Sequence, residues 1–275
     1  MKLPIPASAR QNQLPYVIFT VKDGLYGVSS ENVREIVILP TVVSLPNQAA
    51  DIRGVINLRG KVLTLVDLRV KMGLPSAKTE LEQLIQLLHD RERDHQDWLT
   101  DLEASVRERR PFKMARDPHA CRFGLWYDRY QTDNNLLKMT LKKMDEPHQI
   151  IHATADEVTR LTANGAVEEA NRLLAERRNH ELASLSRLFE EARRGLRESH
   201  RELAVVLNYQ EKRFAISIDQ VEAVERIPEE GIEPMPAAMA GQQGQQHWRI
   251  GKRIKTNQTI LLLDGAGLFS AAAQN

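Results

Sequence analysis

The stretch IRGVINLRGKVLTLVDLRVKM, residues 52–72, decides how the chain folds. Its valine, isoleucine and leucine residues fall in two runs separated by Arg59 and Gly60, and this pattern predicts two strands joined by a tight turn. A stretch of similar pattern, RIGKRIKTNQTILLLDGAGLF, occupies residues 249–269. We interpret the two stretches as copies of one repeated unit.

The repeat extends upstream of both stretches. In the first copy YVIFTV and LYGVS flank Asp23 and Gly24, a strong hairpin signal, and in the second copy LAVVLNYQEKRFAISI has the same two-strand form. The copies cover residues 15–74 and 203–269. We expect two similar small sheets or partial barrels, packed face to face around a shared core. The sequence therefore predicts one β-domain that is discontinuous in the chain.

The middle of the chain is rich in Leu, Glu, Arg and Ala and predicts helices. We expect a first helix with His95 on its buried stripe, and a short helix over ACRFGLWYDRY, residues 120–130. A long helix should follow over residues 136–161, with a break or fresh start at Pro147, and a final helix over residues 167–197. Four helices return the chain close to its starting point, so a bundle can be inserted into a loop of the β-domain.

These patterns give a domain prediction for the whole chain. Residues 1–13 are expected to be a short flexible lead. The β-domain should comprise residues 14–77 and 200–270, and the helical bundle residues 78–199. A length of 275 residues exceeds the usual size of one domain and agrees with two folding units.

Composition limits the classes of function. The formal net charge of +1 argues against an electrostatic nucleic-acid binder. No apolar run approaches the roughly 20 residues that cross a bilayer, and the first sixteen residues lack the apolar core of a signal peptide. We therefore expect a cytoplasmic protein without direct membrane insertion. The single cysteine cannot form an internal disulfide, which leaves metal ligation, redox reactivity or packing as its role.

Three histidines and the only cysteine indicate a metal site in the bundle. His148 and His152 are four residues apart and share one helix face, whereas His95 and Cys121 come from other helices. Thiolate and imidazole suit zinc, and four such ligands complete a tetrahedron with no open position for chemistry. The alternative is that each is an ordinary core residue, in which case several buried polar groups need other partners.

The β-domain sequence offers no paired nucleophile and base, no phosphate-binding glycine loop and no second metal cluster. Its notable polar residues, Arg53, Asn57 and Arg59, surround the predicted strand turn. Such residues are commonly a solvated rim, and beside apolar strands they are also candidates for a partner-binding edge. These observations favour a binding protein over an enzyme.

At IRGVINLRGKVLTLVDLRVKMGL the chain resembles the CheW family of bacterial chemotaxis coupling proteins. The resemblance implies two five-stranded barrel-like subdomains and an adaptor that joins chemoreceptor signalling tips to the chemotaxis histidine kinase. Arg59, in the NLRG run, matches the family arginine associated with receptor contact. Thr64 stands where the family commonly has proline, a departure that bears on local rigidity.

The helical middle resembles the chemoreceptor zinc-binding domain, abbreviated CZB. DHQDW, CRFGLW and PHQIIH match its HxxW, CxxGxW and HxxxH elements. The resemblance implies one zinc ion per chain, held by His95, Cys121, His148 and His152.

Together the two resemblances suggest a cytoplasmic scaffold recruited to chemoreceptor arrays, in which the bundle senses zinc or oxidation of zinc-bound Cys121 and is also a candidate homodimer interface. One rival is a constitutive scaffold in which zinc is purely structural. A second is a zinc hydrolase, which needs an open coordination position. A di-iron bundle lacks the paired Glu-x-x-His motifs that it requires.

Overall fold

The structure is a computed structural model that describes residues 13–236 and 248–269. The chain divides into two compact units. The β unit contains the chain up to Ala77 and from Arg201 onward, and the helical unit spans residues from Lys78 to His200. The lead predicted over residues 1–13 lies outside the described residues, apart from Gln13, where the first strand begins.

Twelve strands of the β unit are described. Those before the helical unit are β1 Gln13–Val21, β2 Gly24–Ser29, β3 Val33–Ile38, β4 Val42–Val43, β5 Ile52–Leu58 and β6 Lys61–Asp67. Those after it are β7 Leu203–Tyr209, β8 Lys212–Ile218, β9 Gln220–Pro228, β10 Glu233–Pro234, β11 Arg249–Lys252 and β12 Thr259–Leu263. Two short helices complete the unit, α1 Leu68–Lys71 and a C-terminal helix Gly265–Phe269.

The two repeat copies exchange their first hairpins. One sheet has the order β10-β11-β12-β2-β1-β9, so the hairpin of the first copy lies among strands of the second. The other has the order β3-β7-β8-β6-β5-β4, which is the reciprocal arrangement. The exchanged hairpins join their hosts by equivalent parallel pairs, β2 with β12 and β8 with β6. Neither sheet is therefore formed by one repeat copy alone, because the first hairpin of each copy pairs with strands of the other copy.

The predicted architecture, a discontinuous β-domain interrupted by a helical bundle, is confirmed. Each sheet has five strands of four or more residues, as expected, plus a two-residue strand at one edge. Neither sheet closes into a barrel in the described part of the chain, since both strand orders have free ends. In β7 and β8, runs of four and five consecutive residues are buried. The largest core cluster of the unit includes Phe19, Phe214 and Trp248.

The junctions with the helical unit are held by ion pairs inside the β unit. Before the first helix of the insert, Lys71 Nζ lies 3.1 Å from Asp51 Oδ2. After the last helix, Glu202 receives two hydrogen bonds from the Arg53 guanidinium, at 2.5 and 2.9 Å. The Glu202 carbonyl also accepts a hydrogen bond from the Leu39 N–H. Both junctions are thus anchored to residues at the start of β5.

The helical unit contains three long helices and one short helix. Their bounds are α2 Ala77–Arg107, α3 Arg122–Tyr127, α4 Asn135–Ala163, and a last helix made of α5 Val167–Arg177, a π-helical turn Arg178–Leu182 and α6 Ala183–Ser199. The buried faces of α2 to α6 form one core that includes Leu99, Phe123, Met144 and Phe189. Among the helices of the described residues, none has the length and apolarity that spanning a bilayer requires.

The helix α4 continues through Pro147, so the expected break at this residue is wrong. Proline removes one backbone hydrogen bond and crowds the preceding turn, which costs about 3 kcal/mol in an isolated helix. Met144, His148 and Ile151 flank Pro147 and are buried on one face. Because tertiary packing holds this face, it overrides the local preference of proline. His148 and His152 therefore remain on one unbroken helix.

Candidate metal centre

Four side chains meet in the core of the helical unit. His95 lies on α2, Cys121 immediately precedes α3, and His148 and His152 lie one turn apart on α4. One ligand atom of each lies within 4.8 Å of all the others. The three histidines are buried and Cys121 is half-buried. Within residues 13–236 and 248–269 this is the one such group of metal-binding side chains.

The spacing of the ligand atoms suits a tetrahedral ion. Cys121 Sγ lies 3.2 Å from His148 Nε2 and 4.0 Å from His95 Nε2. Zinc at its usual bond lengths separates a thiolate sulfur from an imidazole nitrogen by about 3.6 Å. The two observed distances lie on either side of this value. Movements of a few tenths of an ångström would therefore bring the sulfur and both nitrogens onto one zinc ion.

Hydrogen bonds to the Nδ1 atoms of His95 and His152 determine that Nε2 is the nitrogen of each ring that faces the other ligands. His95 Nδ1 lies 2.6 Å from the Arg91 carbonyl, and His152 Nδ1 lies 3.2 Å from the Ala115 carbonyl. A carbonyl only accepts, so both rings carry their proton on Nδ1 and present a lone pair on Nε2. The buried Nε2 atom of His152 has no hydrogen-bond partner among the described residues. A metal ion would satisfy this atom, and the residues present fit zinc.

Cys121 is positioned by the turn at the start of α3. Its sulfur accepts a hydrogen bond from the Gly124 N–H at 3.2 Å. A Cβ atom at Gly124 would lie 2.0 Å from the Pro118 carbonyl oxygen, so only glycine permits this approach. The glycine therefore lets α3 pack against the turn Pro118–Ala120 and aim the sulfur inward.

Burial governs the protonation of these groups. It lowers the pKa of His148 to about 3 and that of His152 to about 4, with a smaller contribution from the neighbouring imidazoles. Burial also lowers the pKa of His95 and raises that of the Cys121 thiol. At neutral pH the imidazoles are thus ready to bind a metal, whereas the thiol must first release its proton.

A cavity of about 310 Å³ adjoins Cys121, His95 and His152. Its wall includes the carboxylates of Asp94 and Asp97 and the side chain of Met114, which is 40% exposed. The half-buried sulfur therefore lies beside a space that a small molecule can enter. His95 and His152 also line this space, whereas His148 does not.

The three residues predicted to bind a partner lie on β5 or its turn but have different environments. Arg59 is 79% exposed at the hairpin tip, where its guanidinium lies 3.0 Å from Glu35. Asn57 accepts a hydrogen bond from the Gly60 N–H through its side-chain oxygen and thereby stabilises the turn. Arg53 is 19% exposed and engaged with Glu202. Their role in partner binding stays a prediction.

Sequence patterns did not reveal which groups hold the ligands in place. Trp98 donates its indole N–H to the Ala115 carbonyl at 2.7 Å, the same oxygen that accepts from His152. The spacing HxxW placed Trp98 near His95. The acceptor of its indole N–H could not be predicted, because it is a main-chain oxygen and every residue has one. The role of Gly124 had a signal, since a glycine inside a short helix is unfavourable without a packing reason.

Comparison with protein families agrees with this architecture. The CheW-like domain profile matches residues 15–95 and 177–273, and the profile of the chemoreceptor zinc-binding domain matches residues 95–159. The CheW-like segments cover more than half of the chain on both sides of the zinc-binding match. The chain belongs to the CheW-like domain family, and it carries an inserted chemoreceptor zinc-binding domain.

The two relatives described here are similar to this chain either over a short segment or at low sequence identity. The "Chemotaxis protein CheW" of Treponema pallidum (strain Nichols) is 29% identical over 76 residues, which are 28% of this chain and 45% of that protein. This chain therefore spans less than half the length of that curated relative. The crystal structure of the scaffolding protein TtCheW from Thermoanaerobacter tengcongensis superposes with a TM-score of 0.44 and 13% identity, covering 94% of this chain and 93% of that one.

Proposed function

We propose that this protein is a chemotaxis adaptor that couples chemoreceptor signalling tips to the chemotaxis histidine kinase, with a zinc-binding bundle that modulates the coupling. The observation that carries the proposal is the cluster of His95, Cys121, His148 and His152 inside a chain whose remaining halves are CheW-like. An adaptor acts by binding rather than by catalysis. We therefore propose that the protein is not an enzyme and works at chemoreceptor arrays.

The partner surface is proposed around the tip of the β5–β6 hairpin. Arg59 is exposed there, and its ion pair with Glu35 brings β3 close to the tip. Three apolar side chains of the same sheet are exposed: Ile38 is 65% exposed, Val43 59% and Val62 69%. Apolar side chains beside an exposed arginine are typical of protein-binding surfaces. Receptor tips are expected to bind at this surface.

The proposed input is zinc occupancy or oxidation of Cys121. The thiolate bound to zinc is a nucleophile, and the adjoining cavity gives it access to small solutes. A peroxide transfers one oxygen atom to the sulfur to form a sulfenate, and the peroxide is reduced to water or an alcohol. The oxidised sulfur is a weaker ligand, so zinc affinity falls and the start of α3 loosens.

The proposed route to the β unit runs through the chain junctions. The helix α6 ends at Ser199, and Glu202 is bound to Arg53 on β5 three residues later. The opposite end of β5 carries the Arg59 turn. A change in the order of α6 would thus reach the hairpin that bears the partner surface. A switch requires that the two states bind the partner with different affinities, and we propose that the changed hairpin binds the receptor tip with a different affinity.

The test compares kinase coupling in reconstituted receptor arrays for the wild type and Cys121→Ser, with and without a zinc chelator. We expect coupling to change on chelation in the wild type and to be constant in the variant. Peroxide treatment of the zinc-loaded wild type should reproduce the effect of chelation. Identical coupling under all conditions would reject the sensor role and leave the adaptor role standing.

A constitutive scaffold with structural zinc is the second candidate, because four side chains, three of them buried, fill a tetrahedral set. Zinc removal would then destabilise the helical unit without altering the coupling of folded protein. The same four ligands disfavour a zinc hydrolase, which keeps one position open for water or substrate. We also propose that the helical unit mediates homodimer formation, which sedimentation of the zinc-loaded protein would test.

A further inference from the structure

The Ala115 carbonyl is shared by two donors that come from different helices. The indole N–H of Trp98, on α2, lies 2.7 Å from this oxygen, and the Nδ1–H of His152, on α4, lies 3.2 Å from it. We infer that Trp98 is a positioning residue for the metal centre: through the Ala115 carbonyl, it fixes the orientation and the tautomer of His152. This inference rests on the proposed zinc site.

Ala115 lies in the irregular segment between α2 and the turn Pro118–Ala120, so its position depends on side-chain contacts. Trp98 supplies two of these. Besides the hydrogen bond, its ring packs edge-on against Phe112, with ring centroids 4.9 Å apart. Arg116 adds an ion pair with Asp156 on α4, at 2.7 Å. Of these contacts, only the Trp98 N–H acts directly on the carbonyl that orients His152.

The hydrogen bond from Trp98 to the Ala115 carbonyl affects the other ring nitrogen of His152, Nε2. With the Nδ1 proton held by the Ala115 carbonyl, the lone pair of His152 Nε2 faces the other three ligands, and this buried atom lacks any described partner. If the carbonyl drifts, the ring can rotate or place its proton on Nε2, which then cannot bind a metal. Trp98 is 3% exposed and packs against the His152 ring at a centroid distance of 4.9 Å, so its indole also limits rotation.

Groups behind metal-binding histidines typically contribute 10- to 100-fold to metal affinity. We expect Trp98→Phe, which keeps an aromatic ring beside Phe112 but removes the N–H donor, to weaken zinc binding by about 10- to 100-fold. The matched control is Trp126→Phe, because the indole N–H of Trp126 donates no hydrogen bond to any described residue. Its effect on zinc affinity should stay below about threefold.

The full-length proteins are titrated with zinc against a competing chelator, and the visible spectrum of the cobalt-substituted forms is recorded. Trp98→Phe should shift the cobalt spectrum because the geometry at His152 changes, whereas Trp126→Phe should leave it as in the wild type. Melting of the metal-free proteins separates loss of packing from loss of positioning. A second variant, Trp98→benzothienylalanine, replaces the N–H by sulfur at nearly constant volume and isolates the hydrogen bond.

Equal zinc affinity and equal cobalt spectra for the wild type and the benzothienylalanine variant would overturn the role of Trp98, even if Trp98→Phe unfolds. A wild-type protein that binds neither zinc nor cobalt would instead overturn the proposed zinc site. The two failures are therefore distinguishable. Weakened binding in both Trp98 variants, with the Trp126 control unchanged, supports the inference.

Discussion

The Nε2 atom of His148 lies 3.2 Å from the sulfur of Cys121, a residue on a different helical segment. At this distance the thiol proton can lie between sulfur and nitrogen, where a metal ion would bind both atoms. Because burial disfavours both the imidazolium and the thiolate, the metal-free pair is neutral. Zinc binding therefore exchanges one proton for one ion at this pair.

Zinc binding should release about one proton per ion between pH 5.5 and 8. The pKa values of His148 and His152, about 3 and 4, mean that these imidazoles have no proton to lose in this range, whereas the Cys121 thiol has one. Calorimetry in buffers of different ionisation enthalpy measures the number of protons released per zinc ion. Cys121→Ser should release none, and a release of three protons would contradict the neutral state of the histidines.

The metal-free helical unit should lose stability as the pH falls below about 6.5. The folded pKa values of His148 and His152 lie below the unfolded value of 6.5, so the unfolded state binds the protons. The stabilisation is complete above that pH and decreases toward the folded pKa values. At pH 5 the loss is about 2 kcal/mol per histidine. Hydrogen exchange of the α4 amides at pH 7.5 and pH 5 measures this loss of stability, and His152→Gln should reduce the loss by about 2 kcal/mol, the contribution of one histidine.

Gly124→Ala should destabilise the helical unit by about 1–3 kcal/mol, because the new Cβ would overlap the Pro118 carbonyl, which is backbone and cannot turn away. The displaced α3 should also reduce zinc affinity. Thermal melting and chelator competition measure the two effects. In the control Gly195→Ala the new Cβ meets only the flexible end of Leu136, at 3.0 Å, so the change should stay within about 1 kcal/mol.

Arg53 and Arg59 should behave differently on substitution. Arg53→Met removes the guanidinium that donates two hydrogen bonds to the carboxylate of Glu202, which is only 10% exposed, and should cost the β unit about 3 kcal/mol. Arg59→Gly removes an exposed ion pair and relieves a positive φ of 51°, so stability should be unchanged or raised by up to about 1 kcal/mol. Denaturant unfolding measures both.

Binding of a receptor tip distinguishes the two arginines further. Arg59→Gly should abolish or strongly weaken binding while the protein remains folded. If the variant binds the tip as tightly as the wild type does, the partner surface lies elsewhere on the molecule.

Much of the fold was predictable because its signals are local. The turn at Arg59 and Gly60 appears where the sequence placed it, and both residues have the positive φ that a two-residue hairpin needs. The His148–His152 spacing likewise predicted a shared helix face, because helical periodicity is a property of neighbouring residues. Pro147 gave the wrong expectation because packing of the surrounding buried face outweighs its local preference.

The hairpin exchange was not predictable from the repeat. The β1–β2 hairpin has the same pattern of apolar residues as the β7–β8 hairpin, so either can complete either sheet. The sheet that each hairpin joins is determined by pairs of residues far apart in the chain, such as Gly27 and Leu262. Such pairs are only weakly predictable from the residue types. The role of the Ala115 carbonyl as an acceptor for His152 was likewise not predictable, because every residue has a main-chain carbonyl.

The helical unit connects β6 to β7, and in the sheet these two strands are separated only by β8. If the helices unfolded, the β unit would have to close a disordered loop of about 120 residues, which costs about 2 kcal/mol more than a loop of about ten. A folded insert keeps its own two ends at a fixed separation and removes most of this loss of chain entropy. Metal binding by the helices is therefore expected to raise the melting temperature of the β unit through chain connectivity alone.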